Sequence, residues 1–157
     1  MAIYQMRFGL SRPRYGRIDV SLETEKPVLQ FAASATSRDS IGELASALAQ
    51  TLKGGPGATV VWNAEPSAYE FAFAPDQGAA LLTITQWPDS RRVKGAGQEL
   101  LRVRGRPSDV CLPFWRALQR LQSQTPGNEY KMAWGHPFPT GELAEVTTLV
   151  QRSKTAY

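Results

Sequence analysis

Covalent chemistry needs a nucleophile, a base within reach of it and a group that orients the base. The chain offers one cysteine, Cys111, and one histidine, His136. His136 stands between Gly135 and the stiff run Pro137-Phe138-Pro139, and no Gly-x-Ser-x-Gly elbow accompanies it. A Cys111–His136 dyad is the remaining pairing. Cys111, however, falls near a helix start on an apolar face, where a small buried thiol is the ordinary occupant. A single cysteine rules out an intramolecular disulfide, and a single histidine rules out a Cys/His zinc cluster. Glu65 and Glu70 flank the turn at Pro66 and could in principle divide acid and base roles, but a turn and the polar face of a strand are places where solvated glutamates are common. Asp19, Glu23 and Glu25 run along one strand without a turn to converge them on a hard cation. The expectation is a non-enzymatic protein with no cofactor and no metal.

The sharpest polar feature is a row of arginines. Arg102, Arg104 and Arg106 alternate along one strand face, about 6.6–7 Å apart, close to the spacing of successive phosphates on one nucleic-acid strand. Trp62, Tyr69, Phe71 and Phe73 could serve such a strand as stacking platforms. They alternate as an inward face should, though, and nothing interleaves them with the arginines. A core with a basic outer edge explains both sets, and basic residues on an exposed strand also resist edge-to-edge pairing. Charge is uneven elsewhere too. Arg7, Arg12, Arg14 and Arg17 have no acid among them, and Arg91, Arg92 and Lys94 precede the arginine row, in a chain of net charge +4 and pI near 9.5. Two basic segments on an otherwise acidic body suit an acidic partner or a phosphate backbone, and equally suit a solvated face.

These groups must be positioned by a regular scaffold. Ile3 to Leu10, Arg17 to Thr24 and Val28 to Thr36 read as strands, the second with Ile18, Val20 and Leu22 on one side and charged or polar residues on the other. Ser40 to Lys53 reads as a helix: Ser40 and Glu43 have capping-box spacing, and Ile41, Leu44, Ala45, Leu48 and Leu52 trace one stripe. Gly54-Gly55-Pro56-Gly57 ends it. That order, helix then glycines then strand, is the reverse of a phosphate-binding loop. Thr59 to Trp62, Tyr69 to Ala74, Ala79 to Trp87 and Gln98 to Arg106 continue as strands. A helix starts at Pro107-Ser108-Asp109, with Pro113 tolerable in its first turn. It breaks at Pro126-Gly127-Asn128; Tyr130, Met132 and Trp134 alternate as a short strand; and a last helix runs from Gly141 to Gln151.

At 157 residues, with 42% hydrophobic and 20% charged residues, the chain fits one domain, residues 1–157, with enough core to fold without staples. No apolar run reaches a membrane span, and the first residues lack the apolar core and cleavage site of a secretory leader, so a cytoplasmic location is expected. The fold class is α+β: a mostly antiparallel sheet of about six to eight strands, with two to three helices on one face.

One order of motifs adds a resemblance. Trp62 with Glu65-Pro66, the alternating Tyr69-x-Phe71-x-Phe73, Leu82-x-Ile84, the helix Phe114-Trp115-Arg116-Ala117-Leu118 with Leu121, Tyr130-x-x-x-Trp134, and Pro137-Phe138-Pro139 leading to Leu143 resemble small immunity-type proteins associated with polymorphic or contact-dependent bacterial toxins. The resemblance spans residues 40–145 and implies a protein that binds and blocks a cognate toxin. Such proteins directed at nucleases tend to be acidic, and this chain is basic. The binding residues expected are Arg102, Arg104, Arg106, Glu65 and Trp134. The alternative is a nucleic-acid-binding module using the basic strand face. A third reading, an enzyme, would need a groove around Trp62, Glu65 and Trp134.

Overall fold

The computed structural model describes residues 6–156. Its strands are β1 (Arg7–Leu10), β2 (Arg17–Glu23), β3 (Pro27–Ser34), β4 (Ala58–Asn63), β5 (Ala68–Asp76), β6 (Ala79–Trp87) and β7 (Gln98–Gly105), and its helices α1 (Ser40–Leu52), α2 (Pro107–Gln124), α3 (Gly127–Trp134) and α4 (Thr140–Ala156). The seven strands form one antiparallel sheet in sequence order. The class is therefore α+β, as the alternation required. The part of the first predicted strand before residue 6 lies outside the described residues.

Hydrophobic alternation decides which face of each strand turns inward. Ile18, Val20 and Leu22 of β2, Val60 and Trp62 of β4, Phe71 and Phe73 of β5, Leu82 and Ile84 of β6, and Leu101 and Val103 of β7 are all buried in one core. Helix α2 contacts both β1 and β7, the two edges of the sheet, and β3 also touches β7, so the sheet curls around it. Phe114 of α2 is the hub, its ring centroid 4.7 Å from Phe8, 5.7 Å from Phe73 and 6.0 Å from Phe71. Helices α1 and α4 pack on each other and on α2.

The sheet has a seam. β3 and β4 pair only through Ser34 and Asn63, which leaves most of that edge of β4 without a strand partner. Helix α1 fills the gap with side chains. The Ser40 hydroxyl donates to the Val61 carbonyl, and a Glu43 carboxylate oxygen accepts from the Val61 N–H at 3.0 Å. Ser40 and Glu43 therefore do not form the local capping box that their spacing suggests. The cap is Asp39, whose carboxylate accepts from the Gly42 N–H at 3.1 Å.

Two other expectations change. Residues 130–134 are helical, not extended: Tyr130 and Trp134, four apart, are both buried, while Met132 faces out. Pro126 opens this helix, and Gly135 closes it with a φ of 105° and an N–H donated to the Lys131 carbonyl. A period of two and a period of 3.6 both bring residues four apart to one side; the flanking proline and glycine, standard helix start and stop residues, decide between them. Pro113 lies seven residues into α2, beyond the first turn, so the Asp109 carbonyl forgoes its helical donor.

Candidate interaction surface

Arg102 and Arg104 project from the outer face of β7 as their alternation requires, but these two and Arg106 each meet a carboxylate. Arg102 reaches Glu99 at 2.7 Å; Arg104 donates to the Asp76 carboxylate at 2.8 Å and to its backbone carbonyl at 3.1 Å; Arg106 reaches Asp109 at 2.9 Å. The Arg102 guanidinium holds the Glu99 carboxyl below its usual range, chiefly by donating a hydrogen bond to it. Strand β7 ends at Gly105, so Arg106 leaves the row and stands at the start of α2. Trp62, Phe71 and Phe73 are buried on the opposite face.

Trp134 belongs to the interior. It is 1% exposed, and its indole N–H donates to the Asp39 carboxylate at 2.9 Å. This corrects its assignment as a contact residue: the spacing that put Tyr130 and Trp134 on one side identified a core face. Tyr130 packs beside them, its phenol pushed up by burial and then by the nearby Asp39 charge. Glu65 is on the surface, where Asn63 hydrogen bonds to its side chain and backbone and Arg17 stands 3.9 Å away. Glu70 has different partners, the Trp87 indole N–H at 3.0 Å and Arg92 at 3.2 Å. The two glutamates thus answer to separate groups, and Glu65, Trp134 and the arginine row are not drawn into one constellation.

Cys111 is fully buried, and burial pushes its thiol up to about 12. A thiol in that state is a packing group, since the thiolate is the nucleophile. The His136 ring Nε2–H donates to the Ala35 carbonyl at 3.2 Å, which ties the Gly135–Pro139 segment to the end of β3. Among the described residues no group of three or more His, Cys, Asp or Glu is arranged to hold a metal ion, and no helix is long and apolar enough to cross a membrane. The glycines after α1 line a cleft with Phe73, Pro75 and Pro107, of about 200 Å³, below the roughly 300–1,000 Å³ of ordinary small-molecule sites.

A further exposed region, where the β1–β2 connection meets α3, carries no motif in the sequence. Tyr15 is 98% and Met132 88% exposed. The Gly16 N–H donates to the Ala133 carbonyl at 2.6 Å, so each exposed residue is the chain neighbour of one partner in that bond. The only signals in the sequence were a tyrosine set among arginines before a glycine, and a methionine between two core aromatics. No protein-family model, curated protein or solved structure matches the chain.

Proposed function

We propose that this chain is a non-enzymatic binding protein of the immunity type, which acts in the cytoplasm by binding a cognate bacterial toxin and blocking it. The observation that carries the reading is the shared role of the residues behind the resemblance. Trp62, Tyr69, Phe71, Phe73, Leu82, Ile84, Phe114, Leu118, Leu121, Tyr130, Trp134 and Leu143 are all buried in one continuous core. They specify a rigid sheet-and-helix platform and leave the outer surface to set the partner. The groups most suited to covalent chemistry are used structurally, Cys111 in the core and His136 as a strut to Ala35.

The nucleic-acid alternative has weaker support, because Arg102 and Arg104 of β7, and Arg106 at the start of α2, each already have a carboxylate within 2.9 Å. The deciding experiment is co-expression with the product of the neighbouring gene, in a strain whose growth that product arrests. Restored growth together with a co-purifying complex supports the immunity reading; neither rescue nor complex refutes it. An affinity for single-stranded RNA or DNA that falls steeply with added salt would favour the alternative.

A further inference from the structure

The β1–β2 connection ends in a tight turn at Tyr15 and Gly16. Arg14 and Arg17 close it with reciprocal backbone bonds, each 2.9 Å. Both central residues have positive φ, 52° at Tyr15 and 76° at Gly16, the signature of a type I′ hairpin turn. Such turns favour asparagine or glycine first, because a residue with a bulky side chain is disfavoured at positive φ. Here that position holds a tyrosine whose side chain is almost wholly in water. It forgoes the favoured turn residue and packs against nothing, a combination that points to a role outside the fold.

The surroundings are fixed. Gly16 donates to Ala133 and its carbonyl accepts from the Ala35 N–H at 2.8 Å, while Arg12 reaches Glu129 of α3 at 3.7 Å. The turn and α3 are therefore pinned together, and Tyr15 and Met132, each next in the chain to one partner of the Gly16–Ala133 bond, are exposed on backbones that are already ordered. Exposed Tyr, Met and Arg on a pre-ordered surface are the residue types enriched at protein interfaces. Charge sets the partner. Of the four cations here, Arg12 and Arg17 face Glu129 and Glu65, whereas Arg14 and Lys131 have no ion pair among the described residues.

We propose that this end of the molecule, centred on Tyr15 and Met132 and flanked by Arg14 and Lys131, docks an acidic protein surface that carries an apolar anchor. The proposal deepens the binding reading above and rests on it. A second copy of this chain would bring Arg14 and Lys131 against like charges. A phosphate backbone would meet Glu65 and Glu129 at the margins, and Met132 has no flat ring on which a base could stack.

The test is selection from a random peptide display library on the full chain, followed by affinity measurement on Tyr15→Asn, Met132→Ala and Arg14→Glu/Lys131→Glu. The expected winners pair Asp or Glu with a large apolar residue. Each variant should lose about tenfold or more in affinity for them. All three should melt no lower than wild type, and Tyr15→Asn, which suits the turn better, should melt higher. No enrichment, winners without an acidic excess, unchanged affinity in the variants, tighter binding of single-stranded RNA than of any peptide, or self-association through this end would each overturn the proposal. Co-expression with the neighbouring gene, the test named above, separates the two readings. Rescue by wild type but not by Tyr15→Asn/Met132→Ala supports the surface, and equal rescue by both removes it while leaving the immunity reading standing. If wild type itself fails to rescue, the immunity reading falls and the peptide selection alone decides the surface.

Discussion

Replacing Phe114 with alanine tests the architecture on which every surface assignment depends. The ring has no exposure and lies within 4.7–6.0 Å, centroid to centroid, of Phe8, Phe71 and Phe73. Those neighbours come from two strands, β1 and β5, one on each side of the seam, and each is held by its own backbone pairing, so the site can collapse only partly. Phe→Ala truncations in cores cost about 3–5 kcal/mol, and poor collapse places this one toward the upper end. At about 2–4 °C per kcal/mol for a chain of this length, the melting temperature should fall by roughly 10–15 °C. Phe114→Leu keeps most of the volume and should cost only about 1–2 kcal/mol. Thermal and urea melts, followed by both circular dichroism and tryptophan fluorescence, give the two differences directly. If Phe114→Ala melts within about 2 °C of wild type, a shift worth no more than about 1 kcal/mol, then α2 does not carry its core through this ring and the inward and outward faces have been exchanged.

Three further outcomes follow from contacts described above. Glu43→Ala should cost about 2–3 kcal/mol, because it strands the Val61 N–H under α1; a double-mutant cycle with Ser40→Ala should show coupling, both side chains serving the same residue. Arg104→Ala should change stability by less than about 1 kcal/mol in a urea melt, as expected for an exposed ion pair. Cys111 should resist thiol reagents in the native state at neutral pH and react only on unfolding. Its folded value is raised from 9.0 to about 12, so the unfolded chain loses the thiol proton first. That contribution to stability is whole below pH 9.0 and declines as pH rises toward about 12, which urea midpoints across alkaline pH would reveal.

Much of the scaffold was legible in the sequence because its signals are local. Alternation in Arg17–Glu23 and in Tyr69, Phe71 and Phe73 gave strands and their faces, and the stripe from Ile41 to Leu52 gave α1. Local spacing misled where it had two solutions, as at Tyr130 and Trp134, or where the partner was distant, as with Ser40 and Glu43, which serve a strand about twenty residues on. The same limit hid the surface chemistry. The outward direction of Arg104 follows from alternation, but Asp76 reaches it only because β5 and β6 form a hairpin that β7 then joins. Nothing in the sequence places residue 15 beside residue 132; a loop-to-helix backbone bond does that.

The seam between β3 and β4 also bears on how the protein could fail. The stretch Thr59-Val60-Val61-Trp62 is short, uncharged and strongly β-prone. Its free edge is covered only while α1 keeps Ser40 and Glu43 seated on Val61. A local opening that lifts α1 would bare a row of backbone donors and acceptors able to template strand addition from another molecule. The two hydrogen bonds that substitute for a missing strand therefore also act as a guard against polymerisation, so at high concentration a lesion at Glu43 should cost the protein its solubility before its fold.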